Sequence, residues 1–223
     1  MINAFGDIKA ETLPESLPLF PLSGALLLPH GHLPLNIFEP RYLSMTEDSL
    51  SSKRLIGMIQ PEKTYSELMP DDATLYPVGC CGQIVSFEET GSGNLFIALK
   101  GICRFKLSQE LEKKRGYRRA KVDFTPYVSD LRQDLSQIND RRRLINAVKE
   151  YFTLKNIEVD WEAIKAAADE TLITSLSMIC PFEAREKQAL LEIENVSERS
   201  ILLTSLVEME LHNNNYQTGL SQH

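Results

Sequence analysis

Between Leu95 and Leu107 the chain alternates strictly. Leu95, Ile97, Leu99, Gly101, Cys103, Phe105 and Leu107 take one phase; Phe96, Ala98, Lys100, Ile102, Arg104 and Lys106 take the other. A period of two puts the two sets on opposite faces of a β-strand, with Gly101 at a bulge or bend. Gln83 to Glu88 predicts a strand ahead of it, and Glu89-Thr90-Gly91-Ser92-Gly93-Asn94 has the composition of the hairpin loop between them. Ala120, Val122 and Phe124 alternate with polar neighbours and predict one more strand. Upstream, Pro18, Pro21, Pro29, Pro34 and Pro40 exclude a continuous helix from Leu17 to Tyr42. Leu17, Leu19 and Leu26 to Leu28 suit short buried strands bounded by turns. One helix interrupts this half: Pro40 fits a first helical position, and Arg41 to Ser52 runs free of Gly and Pro.

The pattern changes after Pro126. Leu131, Leu135, Ile138, Ile145, Val148 and Phe152 recur at spacings that predict a single amphipathic helix. Asp160 is the expected cap of a helix starting at Trp161, a third helix runs from about Asp169 to Ile179, and Ser197 is the expected cap of the last, with Val196 and Ile201 as a hydrophobic staple. Strands first and helices afterwards give an α+β chain rather than a doubly wound sheet. The expected organisation is a flexible leader over 1–15, a β-rich unit over 16–127, a helical bundle over 128–211 and a polar tail over 212–223 that frays.

At 223 residues, 43% hydrophobic and 25% charged, the chain has the composition of an ordinary globular protein. A net charge of −7 and a pI near 5.2 argue against wholesale affinity for nucleic acid or an anionic membrane. No apolar run approaches the ~20 residues of a membrane span, and Met1 to Ser16 has no basic leader followed by an apolar core, so a cytoplasmic location is expected. Cys80, Cys81, Cys103 and Cys180 form no C-x-x-C pair and read as reduced, buried thiols.

Several segments carry a family likeness. Leu17-Pro18-Leu19-Phe20-Pro21-Leu22, the Leu26 to Pro29 run, and Leu33-Pro34-Leu35-Asn36-Ile37-Phe38-Glu39-Pro40-Arg41-Tyr42 resemble the substrate-binding N-terminal domain of Lon proteases. Gly82-Gln83-Ile84 and Gly101-Ile102-Cys103-Arg104-Phe105 are similar to later strands of that family, and Val159-Asp160-Trp161 with Met178 to Phe182 resembles its stand-alone bacterial members. The resemblance implies a strongly twisted, PUA-like β pseudo-barrel followed by an all-α bundle. It also implies a role in engaging unfolded polypeptide, which full-length Lon passes to an ATPase ring. One departure stands out: His30 follows Pro29 where members usually carry a glycine, and a positive φ there suits glycine better. No G-x-x-x-x-G-K-[ST] loop occurs, so neither a nucleotide cofactor nor ATP-dependent proteolysis is expected of these residues.

Candidate chemistry is sparse. Glu39 and Arg41 flank Pro40 and suit a clasp between a strand end and a helix start, with Phe38 and Tyr42 packing beside it, rather than a ligand site. His30 and His32 lack a third and fourth metal ligand nearby, and neither histidine forms a recognisable nucleophile motif with Cys80 or Cys81. Lys113, Lys114, Arg115, Tyr117, Arg118 and Arg119 form a basic turn that supplies the alternative reading, RNA binding with Tyr117 stacking on a base. Leu26, Leu27, Leu28, Leu33 and Ile37 exceed what one alternating face buries. Either they form an exposed patch for substrate, or barrel and helices cover both faces. The expected function is a non-enzymatic module that binds unfolded or extended polypeptide, or docks on a protease or chaperone, through an apolar groove near the barrel–helix junction and exposed strand edges.

Overall fold

The computed structural model describes residues 9–65, 69–91 and 93–220, with side chains through Asn214. Most of the expected leader, 1–8, and the last three residues of the expected tail lie outside the described residues. Six strands form the first half: β1 (Ser16–Pro21), β2 (His32–Ile37), β3 (Leu55–Ile59), β4 (Val78–Glu89), β5 (Leu95–Lys114) and β6 (Tyr117–Asp123), with helix α1 (Pro40–Leu50) between β2 and β3. Their order is β2-β5-β4-β3-β1-β6, and β6 also pairs with β5. The long β5 makes this closure possible. Its first part pairs with β2 from Leu95 to Lys100, and its last part pairs with β6 from Lys106 to Lys114. The result is a closed ring of five strands, to which β2 is added as a flap on the first part of β5.

Five helices follow: α2 (Arg141–Leu154), α3 (Trp161–Ala166), α4 (Asp169–Ile179), α5 (Ala184–Glu192) and α6 (Val196–Leu220). The chain is therefore α+β, as its pattern predicts. Asp160 caps α3 by accepting from the backbone N–H of Glu162 and Ala163. Two expectations need correction. Residues Leu131, Leu135 and Ile138 precede α2 instead of opening it, because Asp134 turns the chain by accepting from Ser136 N–H and Asp140 then caps α2 through Arg143 N–H. The cap of α6 is Asn195 rather than Ser197: its side chain accepts from Glu198 N–H, and Ile201 stays half exposed instead of stapling to buried Val196.

Leu26 to Leu28 are not strand residues. They form a buried loop that crosses β5 at Gly101, where a Cβ would lie 1.9 Å from the Leu28 carbonyl oxygen. The loop is bonded there through backbone, His30 N–H to Gly101 O at 2.9 Å and Gly101 N–H to Gly31 O at 2.8 Å. His30 has φ 64, the left-handed value that glycine would take at less cost. Gly31 serves packing instead, since a Cβ there would meet Met178 Sδ at 2.4 Å on α4. The irregularity expected at Gly101 falls beside it. Gly101 pairs with Gly82 and Cys103 with Cys81, so Ile102 is the extra residue.

Arg104 ties the two halves together. It sits on β5 at 1% exposure, and its guanidinium forms a two-pronged pair with Asp130, with Nη2 2.7 Å from Oδ1 and Nε 2.9 Å from Oδ2. The same group donates to the carbonyls of Leu191, Ile193 and Glu194 at the end of α5. Arg199 on α6 reaches that turn from the other side, donating to Leu190 O and Ile193 O. Two buried cations thus satisfy carbonyls that the end of α5 leaves without helical partners, where the helix dipole also favours positive charge. A second tie runs from Lys187 on α5 to Gly24 O, 2.7 Å.

Removing one member of the Arg104–Asp130 pair leaves a buried charge unmatched. Arg104→Met is expected to lower the unfolding free energy by about 3–5 kcal/mol, and the Arg104→Met/Asp130→Leu double variant by clearly less. Urea midpoints of the two variants against the parent check this. Equal losses would show that the carbonyl contacts, not the ion pair, carry the tie.

Candidate functional site

The flap formed by β2, the first part of β5 and the end of β4 has one face in the core and one in solvent. Leu35, Ile37, Ile97, Leu99 and Ile84 face inward and are buried. The outward face follows from the register: His32, Lys100 and Gln83 lie in one row, Pro34, Ala98 and Ser86 in the next, and Asn36, Phe96 and Glu88 in a third. Phe96 is 48% exposed, and Phe38, two residues beyond Asn36, is 59% exposed. Diagonal neighbours on adjacent strands lie about 7–8 Å apart, so Pro34, Ala98 and Phe96 share one outward apolar surface, with Phe38 exposed just past the end of β2. Phe87, on the other phase of β4 near the hairpin, is also exposed.

Along β5 this face leads to Lys100, about 13 Å beyond Phe96 at the rise of an extended chain. Lys100, Gly101 and Ile102 line a cleft of about 730 Å³ together with Val128, Leu131 and Arg132, from the segment joining barrel to helices. A second cleft of about 440 Å³ shares His30, Ser129 and Arg132 with it and continues between the halves, past Leu135, Asp134, Glu170 and Asn195. Leu135 is 82% exposed at its mouth. His30 Nε2 is buried there without a hydrogen-bond partner, 3.8 Å from Glu170 Oε1. Face and clefts together form one track from the tip of the flap to the barrel–helix junction.

The residues singled out in the sequence fall on and off this track. Leu26, Leu27, Leu28 and Ile37 are buried at 2% exposure or less, and Leu33 is half-buried, so the expected leucine patch is core. The physical reason is that barrel and helices cover both faces of this run: the Leu28 backbone lies on β5, while Gly31 abuts α4. In the Phe38 to Tyr42 segment, Glu39 Oε2 accepts from Arg41 Nε at 3.0 Å, and Arg41 reaches Asp71 at 2.7 Å and lies over the Tyr42 ring. Pro40 opens α1, and Tyr42 stacks against Phe20 at 4.3 Å. Phe38 belongs to the exposed face. His32 is exposed on β2.

The basic turn is neutralised within the molecule. Lys113 pairs with Asp71, Lys114 with Asp48, Arg115 with Glu47 and Asp48, and Arg118 with Glu110, while Arg119 is half-buried. Tyr117 is 4% exposed and donates its hydroxyl to Asp48 at 2.7 Å, so it offers no ring for a base to stack on. Nothing here supports RNA binding. Burial likewise pushes the Cys80 and Cys81 thiols far up and Cys103 to about 12, which keeps them protonated and poorly nucleophilic.

Phe96 and Lys100 stand on the track although the sequence reading does not select them, and for Phe96 a signal exists. An aromatic on the outward phase of an otherwise polar alternation marks exposed apolar surface. The contributions of Arg132 and Leu135 had no sequence signal, because they depend on where the connecting segment packs.

A family model described as the ATP-dependent protease La (LON) substrate-binding domain matches residues 16–209. The chain belongs to that family. A Lon protease of Cytophaga hutchinsonii is 27% identical over 212 residues, covering 92% of this chain and 25% of the relative. One from Dictyoglomus thermophilum is 25% identical, covering 91% and 25%. The chain thus spans about a quarter of the length of these Lon relatives. A solved Lon N-terminal domain protein from Xanthomonas campestris superimposes with a TM-score of 0.58 at 20% identity over 85% of this chain and 97% of its own. The N-terminal domain of a Mycobacterium avium complex Lon protease does so at 0.56 and 13%, over 86% and 98%. Both show the Lon N-terminal fold. No helix among the described residues is long and apolar enough to cross a membrane.

The Tyr117 hydroxyl, with Lys114 and Arg115, holds the Asp48 carboxyl at about 2, below its ordinary 3.8. Because the folded value is the lower one, this contribution is complete above about pH 4 and disappears as pH falls towards 2. Asp48→Asn is expected to lower Tm by about 3 °C at neutral pH and by progressively less below pH 4. Thermal melts of both proteins across that range check it; a pH-independent difference would exclude Asp48 as the source.

Proposed function

We propose that the chain is a non-enzymatic polypeptide-binding module, and that the track from Phe38 and Phe96 to the junction clefts receives an extended segment of a partly unfolded protein. The observation that carries this reading is the open apolar face of the flap. Pro34, Ala98 and Phe96 share the outward face by register, and Phe38, just past the end of β2, is exposed beside them. Exposed aromatic and aliphatic groups in a row, running into a cleft, match an extended chain that offers side chains at alternate positions. Family membership supports the substrate-binding role in general, and the exposed face supports locating it on the flap. Recognition relies on side chains more than on strand addition. β2 pairs only with β5, and Pro34 in its middle removes a donor from the edge. Affinity is modest, because ordering a flexible segment costs conformational entropy.

Titration of a fluorescent, permanently unfolded model polypeptide tests this. The parent is expected to bind, and the Phe38→Ser/Phe96→Ser variant to bind about tenfold more weakly, as for loss of an aromatic anchor. Both side chains are about half exposed or more, so Tm should hold to within about 2 °C. Absence of binding by the parent, or unchanged binding by the folded variant, overturns the reading.

A further inference from the structure

Charge along the track is not neutral, and its sign changes at the shared wall of the two clefts. Lys9, Lys100 and Arg132 surround the larger cleft, above the apolar floor of Ile102, Val128 and Leu131. Among the described residues none of these three cations takes part in an ion pair, in contrast to Lys113, Lys114, Arg115 and Arg118 on the basic turn. Among the described residues, Glu11 is the one carboxylate lining that cleft. A protein with a net charge of −7 therefore keeps a local surplus of positive charge over an apolar floor. Beyond Arg132, the second cleft is lined among the described residues by the carboxylates Asp130, Asp134, Glu170 and Glu194 against one further guanidinium, Arg199, so its balance is acidic. Asp134 is already committed to Val196 N–H and Ser136, and Glu170 to Asp134 N–H, but their charge still repels an anion.

We propose that the larger cleft selects an acidic side chain of the bound polypeptide, so that the preferred segments carry Asp or Glu beside apolar residues. This rests on the polypeptide-binding reading and adds a substrate class to it. Apolar side chains occupy the flap face and the Ile102–Val128–Leu131 floor. An adjoining carboxylate meets Lys9, Lys100 and Arg132, and the acidic second cleft keeps it from sliding further. Polypeptide fits better than nucleic acid, because three cations over an apolar floor suit one or two carboxylates and do not track a phosphate backbone.

Two unstructured peptides with the same apolar core, one flanked by Glu and one by Lys, are titrated into the parent and into Lys100→Glu/Arg132→Glu. The parent is expected to prefer the Glu peptide by about tenfold at low ionic strength, and the preference to shrink between about 0.05 M and about 0.5 M salt. The charge-reversed variant is expected to favour the Lys peptide, and an unstructured RNA to compete poorly with the parent's Glu peptide. Equal affinities that still depend on Phe38 and Phe96 overturn the charge selection while leaving polypeptide binding intact; binding of neither peptide overturns both. Preference unaltered in the reversed variant places selection outside this cleft, and strong displacement by RNA assigns the cations to nucleic acid.

Discussion

The buried Arg104 guanidinium is the constraint on which the arrangement of the two halves depends. It starts on a barrel strand, meets Asp130 in the connecting segment and ends among the carbonyls that close α5. A charge this deep is tolerable only when nearly every donor is matched, and each match fixes a different element. The position of the connecting segment, and hence of Val128, Leu131, Arg132 and Leu135, follows from that one side chain. The walls of the clefts are therefore products of a structural ion pair, although Arg104 does not line either cleft.

β5 illustrates how one strand serves core and surface at once. Its inward phase, Ile97 and Leu99, is buried in the core cluster shared with the helices; its outward phase, Phe96, Ala98 and Lys100, lies on the track. The extra residue at Ile102 then changes the phase, putting Arg104 on the side of Ile97 and Leu99 and leaving Cys103 and Phe105 to a second buried cluster on the other side. Without that bulge the Arg104 side chain would be directed away from Asp130 and the end of α5.

Much of the architecture is legible in local pattern. The β-then-α order, the start of α1 at Pro40, the Asp160 cap and the bounds of α4 all come from short-range signals, namely period, missing donors and side-chain acceptors. Leu26 to Leu28 mislead because burial alone does not distinguish a strand from a loop packed on both sides. The identity of Gly101 becomes intelligible only once the Leu28 carbonyl is known to press against it. The single long helix expected from Leu131 breaks up because Asp134 and Asp140 capture backbone N–H groups locally, a competition that apolar spacing does not register. For the site, the out-of-phase aromatic Phe96 is readable in the sequence, whereas the convergence of Lys9, Lys100 and Arg132 is a tertiary fact.

Pro34 has a consequence for the behaviour of the protein in a crowded solution. An exposed apolar surface invites copies of itself, and an uninterrupted outer strand beside exposed phenylalanines would template stacking into fibrils. The missing donor in the middle of β2 breaks the repeat that such stacking requires. The molecule thus carries an exposed apolar face without offering an unbroken strand edge for copies of itself to extend.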